Sequence, residues 1–267
     1  MRLISWNVNG IRALHRKGLI GWIEAEGADV YCLQETKAWR EQLPKKLLNI
    51  PGYESHFAEA NRKGYSGVAT YTSREPQELE IGLGVPRFDQ EGRVMILHYP
   101  EFSLFNVYFP NGKASEERLR FKMDFYEEFL ERANQCRKRN GVVVCGDLNT
   151  AHRERDIARP RENSKVSGFL PEEREWIDRF LETGFMDSFR MFDPSPGRYT
   201  WWDLKTRARE RNVGWRLDYF FVSQELRDRV RSAGILDQVE GSDHCPVDLV
   251  LDIGNDRLSD SVTGGER

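Results

Sequence analysis

The segment from Gly141 to Cys145 constrains the fold strongly, because it is short, almost entirely valine and followed by polar residues. A β-branched run of this kind is typical of a strand that is buried on both faces. Other segments with strand propensity are Arg2–Val8, Asp29–Gln34, Gly67–Thr72, Val94–His98, Phe102–Phe109, Leu217–Val222 and Val247–Asp252. The sequence therefore predicts β-sheets whose faces are covered by other elements.

Amphipathic helices are predicted between these strands. After Ser115, a favoured N-cap residue, apolar residues from Leu119 to Ala133 recur at spacings of three and four. Pro171 stands at a favoured first helical position and is followed by two glutamates and an apolar stripe. The pattern of residues 17–26 predicts a third helix, although it is weaker than the other two. Interleaved strands and helices indicate a single α/β or α+β domain with helices covering the sheets.

Composition limits the class of protein. The chain has 267 residues, of which 39% are apolar and 12% aromatic, so it can build a sizeable core. No apolar run is long enough for a membrane helix, and the N-terminal segment lacks the pattern of a signal peptide. We therefore expect a cytoplasmic protein without membrane contact. Residues 1–253 are predicted to form one domain, and the polar residues 254–267 a disordered tail.

The four cysteines argue against a zinc-binding or disulfide-bonded protein, whereas the net charge leaves DNA binding open. The cysteines are scattered without CxxC pairs, which favours reduced structural thiols over a zinc site or disulfides. A net charge of −3 lacks the strongly basic balance usual in nucleic-acid binding. Basic residues nevertheless cluster within residues 12–17 and 205–211, so a local basic face remains compatible with DNA.

Polar residues that can carry chemistry stand where the predicted apolar strands end. They are Asn7, Glu35, Asp147, Asn149, Asp218, Asp243 and His244. Most of them have an ordinary explanation as a turn, a helix cap or a solvated strand end, whereas Asp218 stands within an apolar run and must be paired. Carboxylates at such edges need solvent, a partner or a metal, and oxygen ligands suit Mg²⁺ better than Zn²⁺. Mg²⁺ with oxygen ligands favours phosphate chemistry, which is the one function that all these segments share.

Motifs containing these residues resemble a known family. They are SWNVNGIRA (5–13), LQETK (33–37), GYSGVA (64–69), GDLNTAH (146–152), GFLPEERE (168–175), NVGWRLDYFF (212–221) and GSDHCP (241–246). In order and spacing, over roughly residues 1–253, they resemble the exonuclease III family of abasic-site endonucleases. That family belongs to the endonuclease/exonuclease/phosphatase superfamily, which has the DNase I fold. RLDYF, the preceding TWW and GFLPEERE favour its DNA-repair branch over other phosphodiesterases.

The resemblance implies a fold, a reaction and a partner. The fold is a four-layered α/β sandwich with two central β-sheets flanked by helices. The reaction is Mg²⁺-dependent hydrolysis on the 5′ side of an abasic site in double-stranded DNA, with Mn²⁺ as an alternative ion. Accompanying 3′-5′ exonuclease or 3′-phosphodiesterase activity is expected, and incision at deoxyuridine stays open. We expect the protein to act as a monomer on damaged DNA.

The resemblance also implies roles around the metal. Glu35 would hold the ion, with Asn7 supporting it and bonding Asp147. Asp147 would position or deprotonate the attacking water, and Asn149 would donate to a phosphate oxygen. Asp243 could complete the metal environment.

Three further residues would act on the phosphate. His244 would bind it and align the nucleophile, and Asp218 would fix the tautomer of the His244 ring. Tyr108 matches a tyrosine that hydrogen-bonds the scissile phosphate, although without the resemblance it would be taken for a half-buried strand aromatic.

DNA recognition would use a separate set of residues. The resemblance places Trp201, Trp215 and Leu217 in the walls of an abasic-sugar pocket, whereas aromatics taken alone belong more often to a core. Lys205 would insert into the DNA groove from the basic loop 203–212, which by itself could be a solvated turn. Residues matching contacts to the DNA backbone are Arg12, Ala13, Lys17, Tyr65, Arg93, Asn111, Lys113 and Asn163.

The chain departs from the family pattern at two places. Asn9 stands where some relatives have an acidic residue, which puts a second metal position in doubt. The stretch Gly112-Lys113-Ala114 lacks the arginine with which some animal relatives wedge the duplex. Two alternatives stay open: a superfamily phosphodiesterase or phosphatase acting on other substrates, and a catalytically silent DNA-binding protein.

Overall fold

The computed structural model describes residues 1–253, so the prediction of a disordered tail at 254–267 lies outside the described residues. The strands are β1 (Arg2–Asn7), β2 (Val30–Gln34), β3 (Glu54–Ala58), β4 (Val68–Thr72), β5 (Glu78–Ile81), β6 (Val94–His98), β7 (Phe102–Tyr108), β8 (Gly141–Asp147), β9 (Phe185–Asp187), β10 (Trp201–Trp202), β11 (Gly214–Trp215), β12 (Asp218–Ser223), β13 (Val230–Ile235) and β14 (Val247–Leu251). The helices are α1 (Ile11–Arg16), α2 (Leu19–Glu26), α3 (Lys45–Leu48), α4 (Pro86–Asp89), α5 (Glu116–Arg137), α6 (Pro160–Asn163) and α7 (Pro171–Glu182).

Two six-stranded sheets form the centre of the molecule. The first has the order β13-β14-β1-β2-β4-β3 and the second the order β5-β6-β7-β8-β12-β9. Each sheet is antiparallel except for one central parallel pair, β1–β2 in the first and β7–β8 in the second. Apolar residues from the facing sides of both sheets form one shared core.

Helices cover the outer faces. Residues of α1 and α2 pack on the first sheet, and residues of α5 and α7 pack on the second. The four layers are therefore helix, sheet, sheet and helix, and the predicted α/β sandwich is confirmed.

Polar side chains also join the two sheets inside the shared core. Gln34 Nε2 donates to Asn106 Oδ1 at 2.8 Å, and Asn106 Nδ2 donates to the Ala69 carbonyl at 2.9 Å. Both amides are fully buried, so their hydrogen bonds offset a large desolvation cost. These bonds fix how the sheets face each other.

Most predicted elements are confirmed, with small shifts at their ends. Ser115 caps α5 by accepting from Arg118 N at 3.2 Å, and α7 begins at Pro171 as predicted. The helix predicted over 17–26 is α2, which begins later, at Leu19, because Gly18 takes a left-handed conformation (φ 103°) before it. The edge strands β3, β5, β9 and β13 were not predicted from the sequence.

Two further predictions concern the cysteines and the membrane. Cys32, Cys136, Cys145 and Cys245 are all buried as free thiols. Among residues 1–253 there is no helix of the length and apolarity that crossing a bilayer requires.

Candidate active site

Strained backbone shapes the turns at which the central strands end. Glu35, directly after β2, and Asn149, two residues after β8, have left-handed backbones with φ of 51° and 52°. Gly146 has φ 137°, and a Cβ atom there would overlap the carbonyl oxygen of Val107 in the neighbouring strand. Only glycine fits this position, and such strain concentrates at functional sites.

Asn7 joins the two sheets at this edge. Its Nδ2 donates both to Glu35 Oε1 and to Asp147 Oδ2, each at 2.8 Å. Its Oδ1 accepts from the backbone nitrogen of Asn9 at 3.0 Å, which fixes the orientation of the amide. One neutral side chain thus holds a carboxylate from each sheet.

Asp147 is a buried carboxyl whose pKa is raised to about 7. Burial is the largest cause, and the charges of Asp218 and Glu35 raise the pKa further. His244 opposes these effects, as does the backbone nitrogen of Asn149, which donates to Asp147 Oδ1 at 2.7 Å. The group therefore titrates near neutral pH, which suits a residue that exchanges protons with water.

His244 lies in a chain of buried polar groups. Its Nδ1 is 2.8 Å from Asp218 Oδ2, which also accepts from Thr200 Oγ1 at 2.6 Å. Its Nε2 lies 3.8 Å from Asp147 Oδ2. Burial lowers the pKa of His244, but Asp218 and Asp147 outweigh burial and raise it to about 10. The imidazole is therefore charged at neutral pH, with both nitrogens as donors.

Glu35, Asp147 and His244 form a metal group, in which one side-chain atom of each residue lies within 4.8 Å of the others. Because the charged imidazole has no free lone pair, the carboxylates of Glu35 and Asp147 are the members of this group that could hold a metal ion. Burial opposes ionisation of Glu35, yet Lys37, 2.6 Å away, and Asn7 hold its pKa below the usual value. Two carboxylates that repel each other in a buried setting fit a hard divalent cation, which would offset that repulsion.

Asp243 lies beside this group and is not one of its three members. Its Oδ1 accepts from Asn9 Nδ2 at 2.9 Å and its Oδ2 from Trp201 Nε1 at 3.0 Å. Its predicted metal role stays a prediction, and these bonds tie the metal group to the neighbouring loop.

Tyr108 ends β7 at the same edge. Burial and then the charge of Glu35 raise its pKa well above the usual value, so its hydroxyl is a donor at neutral pH. Arg93 packs over the ring of Tyr108, with its guanidinium carbon 4.6 Å from the ring centroid. Arg93 is only 2% exposed and binds Glu91, the Tyr108 carbonyl and the Tyr65 hydroxyl. Its predicted DNA contact stays a prediction, and the structure gives its guanidinium three protein partners.

An aromatic cluster lies next to the metal group. Trp201 and Trp215 face each other across β10 and β11, with ring centroids 6.2 Å apart at 87°. Lys113 Nζ lies 5.4 Å and 4.8 Å from the centroids of these two rings. Trp201 also forms a β-bridge with His244, so this cluster and the metal group share one wall. The buried members of the cluster are Ala151, Ile157, Phe169, Trp215 and Leu217.

The remaining predicted DNA contacts surround this site. Tyr65, Asn111 and Lys113 line a groove of about 730 Å³ that reaches Tyr108. Asn111 Nδ2 donates to Asn149 Oδ1 at 2.9 Å, which links the groove to the turn after β8. The other residues are exposed or partly exposed: Arg12, Ala13, Lys17, Asn163 and Lys205.

The sequence analysis gave no role to two residues of this site. Thr200 donates to Asp218, and its Oγ1 accepts from the backbone nitrogens of Leu217 and Asp218. Its place at the start of the TWW motif was the available clue. Lys37 lies in the LQETK motif and contacts Glu35 and Asn9. A lysine two residues after a glutamate that is predicted to bind metal was the available clue.

Comparison with known proteins identifies the class. The profile of the Endonuclease/Exonuclease/phosphatase family matches residues 4–244. An exodeoxyribonuclease of Bacillus subtilis (strain 168) is 43% identical over 255 residues, which cover 95% of this chain and 100% of the relative. A DNA-(apurinic or apyrimidinic site) endonuclease of Dictyostelium discoideum is 41% identical over 266 residues, covering 95% and 71%.

A solved structure agrees with these relatives. An AP endonuclease from Archaeoglobus fulgidus superimposes with a TM-score of 0.86 at 29% identity, covering 95% of this chain and 100% of that one. The chain therefore belongs to the Endonuclease/Exonuclease/phosphatase family of hydrolases. Within it, the chain belongs to the exonuclease III group of exodeoxyribonucleases and AP endonucleases that its motifs predict.

Proposed function

We propose that this protein is a Mg²⁺-dependent DNA-repair endonuclease that hydrolyses the phosphodiester 5′ to abasic sites in double-stranded DNA. The observation that carries the proposal is the wall shared by two sites. The metal group of Glu35, Asp147 and His244 adjoins the apolar cluster through the bridge between Trp201 and His244. Relatives named as exodeoxyribonuclease and apurinic or apyrimidinic endonuclease support the choice of substrate.

The metal would be held mainly by Glu35, with Asn7 and Asp243 orienting the surrounding groups. When bound, Mg²⁺ would neutralise charge on a phosphate oxygen, with Mn²⁺ as a substitute. Asn7 fixes the distance between the two carboxylates by donating to both. Asn9 is neutral and is shared between Lys37 and Asp243, which favours one metal position over two.

Asp147 is the proposed base. With a pKa of about 7 it accepts the proton of the attacking water as the water oxygen bonds to phosphorus. The bond from phosphorus to the 3′ oxygen of the preceding nucleotide breaks, and this oxygen takes up a proton from solvent to become a 3′-hydroxyl. The 5′-phosphate remains on the abasic residue.

Three donors would hold the phosphate during this step. Charged His244 offers Nε2, since its Nδ1 is held by Asp218. Asn149 and Tyr108 offer an amide and a hydroxyl from the ends of β8 and β7. Preorganised donors of this kind are worth about 10²–10³ each in rate.

Abasic recognition is assigned to Trp201, Trp215 and Leu217. An apolar pocket of this kind accepts a sugar without a base and excludes a normal nucleotide by size. The surrounding residues that match family contacts would bind the DNA backbone and set the register of the duplex. They are Arg12, Ala13, Lys17, Tyr65, Arg93, Asn111, Lys113 and Asn163.

One assay tests the proposal. A duplex with a single abasic analogue should be cut 5′ to the lesion with Mg²⁺ or Mn²⁺ and stay intact with EDTA. The undamaged duplex of the same sequence is the control. Equal cutting in EDTA would contradict the metal mechanism, and no cutting of any damaged duplex would contradict the repair assignment. A uridine-containing duplex and a 3′-blocked duplex in the same gel test the two accompanying activities.

Lys205 is exposed near the tip of the loop that follows Trp202, and we propose that its stem enters the DNA groove. Lys205→Ala should then weaken binding to the abasic duplex and change lesion preference. Unchanged affinity and preference would remove this role.

A further inference from the structure

A fully buried ion pair lies behind the proposed active site. Lys122 of α5 and Glu173 of α7 are both 0% exposed, and Nζ lies 2.6 Å from Oε1. Buried charges of this kind are costly to desolvate, so this pair is weak as a device for stability alone. Its partners indicate what it does instead.

The ammonium of Lys122 donates all three of its protons to defined acceptors. Besides Glu173, it donates to the Asn149 carbonyl at 2.9 Å and to Thr150 Oγ1 at 2.7 Å. Asn149 holds a left-handed conformation (φ 52°), which asparagine adopts only at a cost. Lys122 therefore fixes the backbone from which the proposed phosphate-binding amide projects. Tyr126, one turn further along α5, adds a bond to Thr150 Oγ1 at 2.8 Å.

The carboxylate of Glu173 organises the segment before α7. Its Oε2 accepts from the backbone nitrogens of Gly168 at 2.5 Å and Leu170 at 3.1 Å, and its Oε1 accepts from Ser167 Oγ at 2.8 Å. Phe169, inside this segment, is part of the apolar cluster that forms the proposed sugar pocket. Glu173 therefore fixes one wall of that pocket.

The two segments also touch directly at Gly168. Its carbonyl accepts from Ala151 N at 2.8 Å. A Cβ atom at Gly168 would lie 3.0 Å from the Trp215 ring and 3.1 Å from the Asn149 carbonyl oxygen. This glycine thus lies between the phosphate-binding turn and the pocket aromatic Trp215. The ion pair bonds to the Asn149 carbonyl through Lys122 and to the Gly168 backbone nitrogen through Glu173.

We propose that Lys122 and Glu173 are a positioning pair that sets the distance between the phosphate-binding Asn149 and the wall of the abasic pocket. The proposal rests on the proposed function, because it assigns the pair to lesion-dependent cleavage. Neither side chain touches substrate. A shift of about 1 Å in such a spacing can cost about 100-fold in rate.

The test compares Lys122→Met with Arg74→Met. Arg74 follows the C-terminal end of β4, which is the end away from the active site, and it pairs with Glu101 at 2.8 Å. It therefore serves as a matched ion-pair control. At a temperature where both variants are folded, Lys122→Met should lower kcat on the abasic duplex about 100-fold with little change in KM. Its preference for abasic over intact duplex should fall about tenfold. Arg74→Met should keep both values.

Hydrogen exchange gives a readout that does not depend on nuclease activity. In Lys122→Met, exchange should become faster in both segments 148–151 and 166–170, and in neither segment for Arg74→Met. Glu173→Gln, which keeps the shape and one acceptor oxygen, should show the same changes to a smaller extent, and it decides the matter if Lys122→Met does not fold.

Native kcat and native exchange in a folded variant of the pair would overturn the proposal, as would equal loss of kcat in Arg74→Met. If the wild-type protein does not cut the abasic duplex, the proposed function fails. The exchange data then still decide whether the pair couples the two segments.

Discussion

The two sheets bring matching strand ends to the active site. In the first sheet the parallel strands β1 and β2 end at Asn7 and just before Glu35, and in the second β7 and β8 end at Tyr108 and Asp147. Each parallel pair of strands thus contributes one uncharged donor and one carboxylate to the same edge.

The environments of the two carboxylates differ. Lys37 lies 2.6 Å from Glu35, and although burial opposes ionisation, the pKa of Glu35 is lowered. Asp147 has no lysine partner in the described structure, and burial with two neighbouring carboxylates raises its pKa to about 7. Equivalent positions therefore carry a permanent anion and a proton acceptor, which is the division that metal-assisted hydrolysis needs.

Removal of either carboxylate should have the largest effect. Asp147→Asn loses the proposed base, so its cleavage rate should fall about 10²–10⁴-fold. Glu35→Ala loses the proposed metal ligand, and its cleavage rate should fall at least as much. Single-turnover cleavage of the abasic duplex measures both, with circular dichroism as the check on folding. Excess Mg²⁺ should restore part of the Glu35→Ala activity and none of the Asp147→Asn activity. Equal rescue of both would contradict the division of roles.

The pocket on the side of the second sheet should control specificity, and not the chemistry itself. Trp215→Leu removes one wall, so the preference for abasic over intact duplex should fall roughly 10–200-fold. Ratios of kcat/KM for the two duplexes measure this change. Trp22→Leu, which alters a tryptophan packed on the outer face of the first sheet, is the control. An unchanged ratio in Trp215→Leu would locate the pocket elsewhere.

Lys37 keeps Glu35 ionised but also competes with a cation for its Oε2. Lys37→Met should therefore lower the half-saturating Mg²⁺ concentration about tenfold, or ~1.4 kcal/mol. Calorimetric titration without DNA measures the change, and Lys46→Met, at an exposed lysine in α3, is the control. Weaker Mg²⁺ binding in Lys37→Met would show that the ammonium helps to build the site.

The pH dependence of the metal-free protein should be the smallest effect. The folded protein binds the Asp147 proton up to pH about 7, whereas the usual carboxyl pKa is 3.8. Below that lower value the contribution to the free energy of unfolding is complete, and it is lost as the pH rises towards 7. The pKa of His244 is raised from 6.5 to about 10, so its contribution to the free energy of unfolding is lost as the pH rises from 6.5 towards 10.

Thermal unfolding in EDTA should therefore give a lower Tm at about pH 8 than at about pH 5. Added Mg²⁺ should make the difference in Tm between about pH 5 and about pH 8 smaller. Asp147→Asn should reduce the fall in Tm that occurs below pH 7. A Tm that rises with pH over this range would contradict the raised pKa of Asp147.

The sequence predicts the central strands and the polar residues at their ends well. Runs such as 141–145 are unambiguous because burial on both faces leaves few residue types. The edge strand β5 was missed because Glu78 and Glu80 give it little apolar character, and its pairing with β6 depends on tertiary structure.

Contacts across the two sheets were harder to predict. The bond from Asn7 to Asp147 joins residues 140 positions apart, and only the resemblance to a family suggested it. Lys122 gave no signal, because a lysine on an amphipathic helix is normally solvated and its burial becomes visible only once α7 is placed.

The division of the site between two sheets has a consequence for the life of the chain in a cell. Glu35 belongs to the half of the chain made first on the ribosome, and Asp147 and His244 to the later half. In a nascent or partly unfolded chain in which only one sheet has formed, Glu35 and Asp147 are not brought together and Asn7 cannot bridge them. The proposed site is therefore complete only after both sheets have docked.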